Sequence, residues 1–256
     1  MKRLGYVGLC LAAAFALSAT TVSAAQAAEY GRCVKVAKIN KEYKGDYADK
    51  GCTKPVVETG EYEWSQGPGP KPGFTTTMKK VTLSSPGLEF NMTCNGTGSG
   101  EITGRKTGYV TFTLTSCSSK AAGGKCSSSG EPPSVVKTVT LYTELVEPEA
   151  GVVSTVINPA PWYTYATEFD CNGVFARIRG SLGGVTTKTN AMESKHTETF
   201  EGEPSAGGQL LLTEISINEG RTWRPGPESP DPYGAPTVLT MTISSADEEK
   251  WEVKTL

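Results

Sequence analysis

The amino-acid sequence contains a single histidine, His196, as its one candidate for a catalytic imidazole. His196 lies in the charged run 193–198, which is typical of a solvated surface segment. No Gly-x-Ser-x-Gly motif accompanies it, so the sequence offers no recognisable nucleophile for that base. The residues therefore favour a surface position for His196 over a catalytic one.

Paired carboxylates are the second group that could support catalysis, because a glycosidase needs two of them and no sequence motif. The candidates on or beside predicted strands are Glu144, Glu147, Glu168, Asp170 and Glu214. Strand alternation places Glu168 and Asp170 on one face, opposite Phe169 and Cys171. The alternative is that this face is simply solvated.

Aromatic residues beside proline-rich turns form the third group, since rings can stay partly exposed there. They are Trp162, Tyr163, Tyr165, Trp223 and Tyr233. Flat rings with polar edges suit the recognition of sugars or peptides. The alternative is that most of them anchor the core. The interpretation that we adopt is a ligand-binding role for these five residues.

Cysteines give the clearest structural signal. Of seven in the chain, Cys10 lies in an apolar N-terminal run, and the other six are Cys33, Cys52, Cys94, Cys117, Cys126 and Cys171. An even number in an exported chain indicates disulfides. No Cys-x-x-Cys motif is present, so neither a metal site nor a cofactor is expected. Sequence proximity favours the pairs Cys33–Cys52 and Cys117–Cys126.

The remaining pair, Cys94–Cys171, is predicted from an internal repeat. The segments 89–96 and 168–173 share a Glu-Phe start and a Cys-Asn-Gly end. Each copy predicts a strand with a cysteine at its end, an Asn-Gly turn and a second strand. The two cysteines would then link two similar β-hairpins.

The first 27 residues are typical of a secretion signal. Lys2 and Arg3 precede the apolar run 4–17, and Ala25-Gln26-Ala27 is a small-x-small cleavage site. The mature chain is therefore expected to begin near Ala28. No later segment is apolar enough to span a bilayer. We expect a secreted, extracellular protein.

Composition predicts an all-β protein, because threonine, serine, glycine and valine are plentiful and long helix-favouring stretches are missing. The formal net charge of −2 argues against nucleic-acid binding. Residues 28–65 are predicted to form a small cysteine-bridged module and 66–73 a proline- and glycine-rich linker. Residues 74–256 are predicted to form a mostly antiparallel sandwich or flattened barrel.

Two segments of that larger domain carry specific expectations. Residues 196–200 predict an edge strand. The segment Pro225–Pro236 is expected to stay outside the sheet ladders, because proline lacks the N–H group that a ladder needs.

Several sequence segments resemble those of an uncharacterised family of secreted, cysteine-containing proteins of high-GC soil actinobacteria. The matching segments are residues 30–37, 51–53, 60–64, 200–204 and 252–254. The resemblance implies export and a bacterial host, and it brings no catalytic or binding residues. The segment Pro225–Pro236 is longer here than the usual connection in that family.

The function that we predict is a non-catalytic extracellular or cell-surface protein that binds a glycan or wall polymer. One alternative is a secreted glycan-acting hydrolase with paired carboxylates. A second is a structural envelope protein without a ligand. The sequence leaves the identity of the ligand and the oligomeric state open.

Overall fold

The structure, a computed structural model, describes residues 28–85, 89–201, 213–219, 229–231, 236–245 and 250–255. Every regular element in these ranges is a β-strand, which confirms the all-β prediction. The same ranges hold no helix that is long and apolar enough to cross a membrane. The predicted signal peptide, residues 1–27, lies outside the described residues.

A small antiparallel sheet contains the N-terminal strands and one C-terminal strand. Its spatial order is β19 (Glu252–Lys254), β1 (Glu29–Lys35), β4 (Tyr62–Gln66), β2 (Gly45–Tyr47) and β3 (Pro55–Gly60). In the pairing of β1 with β19, Tyr30 lies opposite Val253. The module predicted over 28–65 therefore shares its sheet with a strand that the predicted range 74–256 assigned to the other domain.

Eight strands close into an antiparallel barrel, so the barrel alternative of the predicted architecture is the one found. In order around the barrel they are β5 (Gly73–Ser85), β6 (Phe90–Ile102), β7 (Thr107–Ser119), β10 (Leu141–Glu149), β11 (Val152–Pro159), β14 (Leu182–Thr186), β15 (Lys195–Glu201) and β18 (Pro236–Ser245). Strand β15 lies between β14 and β18. The predicted edge strand at 196–200 is thus an internal barrel strand.

Further strands extend from one end of β7. They are β8 (Gly124–Ser127), β9 (Val136–Lys137), β12 (Thr167–Cys171), β13 (Val174–Gly180), β16 (Thr213–Glu219) and β17 (Ser229–Asp231). Strand β17 pairs with β16, and Pro230 lies opposite Ser216. The prediction that Pro225–Pro236 stays outside the sheet ladders was therefore wrong for Ser229–Asp231. Strand β17 is the last of its row, the edge position where a sheet tolerates proline.

The disulfides follow strand neighbours. Cys33 pairs with Cys52, as predicted, but the predicted pairs Cys94–Cys171 and Cys117–Cys126 are wrong. Cys94 bonds Cys117 across β6 and β7, with Cα atoms 4.3 Å apart. Cys126 bonds Cys171 across β8 and β12, where the two residues are register partners with Cα atoms 4.1 Å apart. Adjacent strands bring these cysteines within bonding distance, whereas the repeat does not.

The two Cys-Asn-Gly copies have different conformations. Asn172 and Gly173 form the turn between β12 and β13, with positive φ at both residues. Asn95 and Gly96 instead continue the long strand β6. The predicted pair of similar hairpins is therefore absent at these two positions, because the tertiary pairing of β6 with β5 and β7 overrides the local turn signal.

One end of the barrel is covered by the small sheet. Tyr30 and Trp251 are buried with ring centroids 5.4 Å apart, beside the barrel residues Phe74 and Ile243. The predicted linker 66–73 is fastened to the same sheet by Arg32. The Arg32 side chain is buried and donates to the carbonyl oxygens of Pro68 at 2.7 Å and Lys71 at 2.8 Å.

Candidate functional site

Four aromatic side chains form a continuous patch on the outside of the barrel, which we call the ring strip: Tyr109, Tyr142, Trp162 and Tyr163. Trp162 is 64% exposed and Tyr163 is 38% exposed. Both lie in the turn that follows β11, where the Tyr163 amide donates to the Ala160 carbonyl. Ala160 is fully buried, so this turn is fixed to the core while its rings face solvent.

The barrel strands supply the other two rings. Tyr109 on β7 and Tyr142 on β10 are register partners, and they point outward because Val110 and Leu141 point into the core. Ring centroids are 5.7 Å apart for Tyr109 and Tyr142 and 6.1 Å apart for Tyr109 and Trp162. Those separations are typical of packed aromatic pairs. The strip is therefore preformed.

Hydroxyl groups lie beside the ring strip in regular rows. Across β5, β6 and β7, one row contains Thr75, Ser99 and Thr111, and the next contains Thr77, Thr97 and Thr113. These six residues line an open groove of about 420 Å³. A second depression, of about 280 Å³, is lined by Ser99 and Thr111 together with Tyr109, so the rows and the ring strip are continuous.

The surroundings of Tyr142 keep its hydroxyl neutral. Partial burial, and then the nearby Glu144 carboxylate, raise the pKa of Tyr142 above its ordinary value. The phenol therefore stays protonated at neutral pH and can both donate and accept a hydrogen bond. Rings, phenols and aliphatic hydroxyls together provide an apolar surface with polar edges.

The structure brings two of the five predicted ligand-binding residues together, Trp162 and Tyr163. Tyr165 lies elsewhere, with the Arg177 guanidinium 5.2 Å from its ring centroid. Trp223 and Tyr233 lie outside the described residues. Sequence reasoning missed Tyr109 and Tyr142, because only the register of β7 with β10 places their rings side by side.

Three of the carboxylates proposed for catalysis have structural roles. Glu168 accepts hydrogen bonds from Arg177. Asp170 accepts from the Gly173 amide at 2.8 Å, and Glu147 accepts from the Gly151 amide at 2.6 Å, both within turns. Glu144 is the one placed beside the ring strip. For Glu214 only the backbone, in β16, is described.

His196 is inside the barrel, so its predicted surface position was wrong. Its ring is fully buried and lies 4.0 Å, centroid to centroid, from Trp251. Its Nε2 lies 3.2 Å from the Trp251 carbonyl oxygen. Burial lowers the pKa of His196 from its ordinary value, which favours the neutral imidazole.

Glu198 is a second interior polar residue, and sequence reasoning missed its burial. It lies two residues after His196 on β15, with its side chain buried. The Thr155 hydroxyl donates to Glu198 Oε1 at 2.6 Å, whereas Oε2 is buried without a hydrogen-bond partner. Burial raises the pKa of Glu198 to about 7.

A small cavity of about 20 Å³ adjoins this carboxyl group, with Tyr30 and Thr143 in its wall. That volume suffices for about one water molecule. Burial, and then the Glu198 carboxylate, raise the pKa of Tyr30 well above its ordinary value. This end of the barrel interior therefore holds buried polar groups, Glu198 among them, within a largely apolar wall.

Comparison of the chain with family models, curated proteins and solved structures finds no significant match. Among the residues that the structure describes, no three histidine, cysteine, aspartate or glutamate side chains are grouped to hold a metal ion. Function must therefore be argued from the exposed geometry.

Proposed function

We propose that this protein acts outside the cell as a non-catalytic binder of a glycan or wall polymer, with the ring strip as its contact surface. The observation that carries the proposal is the exposure of Trp162 within a preformed run of four rings. An exposed apolar patch with polar edges is typical of a recognition surface.

The chemistry of the surface matches that of a sugar chain. The C–H faces of a pyranose ring pack on an aromatic ring, and its hydroxyls need partners around the rim. Tyr109 and Trp162 supply the apolar faces, and the hydroxyl row that contains Ser99 and Thr111 supplies donors and acceptors. Because the rows run across three strands, they can accompany a polymer over several sugar units.

The disulfides support the proposed location outside the cell. Three disulfides join described cysteines, which indicates folding in an oxidising, extracellular-type environment. We further infer that residues 1–27 are the export signal and that the resemblance to secreted actinobacterial proteins reflects common descent. Amino-terminal sequencing of the exported product would test the cleavage near Ala28.

The binding proposal is tested with the purified chain beginning at Ala28 on an array of glycans and bacterial wall polymers. We expect Trp162→Ala to weaken binding about tenfold or more, which corresponds to about 1.4 kcal/mol. Trp223→Ala tests whether the predicted second tryptophan contributes.

Tyr43→Ala is the matched control, because it removes a partly exposed ring from the segment between β1 and β2, where the Lys38 Nζ lies 4.9 Å from the ring centroid. The control should bind normally. The proposal is wrong if no glycan or wall polymer binds, or if Tyr43→Ala and Trp162→Ala weaken binding equally. Cleavage of an arrayed polymer would instead favour the hydrolase alternative.

A further inference from the structure

The end of the barrel opposite Tyr30 and Trp251 contains an apolar cavity of about 110 Å³, which we call the barrel-end cavity. Its wall is formed largely by carbon atoms of side chains from β5, β7, β10, β11 and β14. They include Met78, Leu83, Leu114, Leu141, Ile157 and Leu182. The cavity is partly open, so a molecule can enter from solvent without unfolding the barrel.

The mouth of the cavity is built from hydrogen-bonded backbone. Ala166 lines it, and the Ala166 amide donates to the Ile178 carbonyl at 2.7 Å. The Val139 amide in turn donates to the Ala166 carbonyl at 2.9 Å. Hydrogen bonds among three segments of the chain therefore hold this part of the cavity wall in place.

The hydroxyls in the wall already have partners. The Thr138 hydroxyl accepts from the Phe112 amide at 2.9 Å, and the Thr167 hydroxyl donates to the Lys137 carbonyl at 2.6 Å. A water molecule needs about two to four polar partners, and this wall offers few. The small cavity beside Glu198 differs in its smaller volume and in the carboxyl group that lies in its wall.

We propose that the barrel-end cavity is a binding site for a small uncharged apolar molecule, either a single ring or a short alkyl chain. The size follows from the volume: engineered apolar cavities of about 150 Å³ stay dry and bind benzene. At about 110 Å³ with an open mouth, this cavity accommodates a benzene-sized group whose far end reaches solvent. This site is separate from the ring strip and does not depend on glycan binding.

Toluene is the probe for the test. Methyl-detected NMR of the chain beginning at Ala28 should show saturable shifts at the methyl groups of Met78, Leu83 and Leu114. Intermolecular NOEs from toluene should reach the same methyl groups. Glucose, as a polar probe of similar size, should cause no such shifts.

Ala166→Leu blocks the site, because it adds an isopropyl group at the mouth. We expect it to weaken toluene binding about tenfold or more. Val185→Leu is the matched control, since it adds a methylene to the exposed Val185 of β14 and should bind as the wild type does.

The result that overturns the proposal is the absence of saturable toluene shifts, or shifts centred on the methyl groups of Val110, Met241 and Ile243 at the other end. Equal affinity in Ala166→Leu and the wild type would also overturn it. Should Ala166→Leu fail to fold, the NOEs in the wild-type chain decide the location alone.

Discussion

The two ends of the barrel interior differ in their polarity and in how completely they are packed. Under the small sheet, Trp251 packs on Tyr30 and His196, and polar groups are buried beside a cavity of about 20 Å³. At the other end the wall is apolar and a cavity of about 110 Å³ remains. Strand β15 runs between them, with His196, Glu198 and Phe200 successively pointing inward.

The comparison shows that a barrel interior need not be uniformly apolar. The polar end accepts His196 and Glu198 because large rings cover it and threonine hydroxyls bind the carboxyl group. The change from polar to apolar residues along β15 occurs at Phe200. The Phe200 ring packs closely on Gly184, because a Cβ added to Gly184 would lie 2.6 Å from that ring. Packing is therefore tight at the polar end and in the middle, and loose at the apolar end.

The largest expected effect is at the tightly packed end. Trp251→Ala removes a buried ring that contacts both Tyr30 and His196, and we expect it to lower the free energy of unfolding by about 3–5 kcal/mol. Leu182→Ala, at the edge of the barrel-end cavity, should cost only about 1–2 kcal/mol, because Leu182 is half-buried. Urea denaturation with intact disulfides measures both. Equal losses would mean that the two ends are equally packed.

A second prediction concerns the pH dependence of the polar end. The pKa of Glu198 is raised from 4.5 to about 7, so the folded state holds a proton that the unfolded state releases between those values. This stabilisation is complete below pH 4.5 and is lost as the pH rises to about 7. Relative to Glu198→Gln, the wild type should therefore lose about 3 kcal/mol of stability over that range.

His196 has the opposite effect on the pH dependence of stability, so the two groups can be distinguished. Its pKa is lowered from 6.5, so the unfolded state binds a proton that the folded state excludes, and stability falls as the pH drops below 6.5. In Glu198→Gln the loss of stability that Glu198 causes with rising pH should disappear and the fall caused by His196 should remain, as measured by urea denaturation at a series of pH values. A variant with the same pH profile as the wild type would show that the Glu198 carboxyl titrates normally.

The smallest effect is expected at the apolar end. Ala166→Leu fills part of the barrel-end cavity, and we expect it to raise the free energy of unfolding by about 1 kcal/mol. Val185→Leu is again the control and should leave stability within about 0.5 kcal/mol of the wild type. Destabilisation by Ala166→Leu would show that the empty space cannot accept a larger side chain.

Strand alternation made part of the fold predictable. In β7, buried Val110, Phe112 and Leu114 alternate with outward-facing tyrosine and threonine, and the sequence shows this directly. In β15 the inward positions include His196 and Glu198, so the apolar half of the alternation is missing. From its sequence alone, a buried strand with polar inward positions is therefore predicted to be a surface segment.

Short repeats were the weakest guide. Cys94-Asn95-Gly96 and Cys171-Asn172-Gly173 have the same residues, yet the first lies inside a strand and the second ends in a turn. Whether this tripeptide continues a strand or ends in a turn depends on strand partners that are distant in sequence. The same limit applies to the ring strip: Trp162 and Tyr163 were predicted from the adjacent prolines, whereas Tyr109 and Tyr142 meet only through the pairing of β7 with β10.

The antiparallel pairing of Glu29–Gly31 with Glu252–Lys254 has a consequence for synthesis. A chain is made from its amino end, so β1 keeps one open edge until nearly the last residues of the described chain have emerged. An open strand edge can join another molecule, which makes nascent and truncated forms prone to self-association. Loss of β19 should therefore reduce the yield of folded protein more than its three residues of contact suggest.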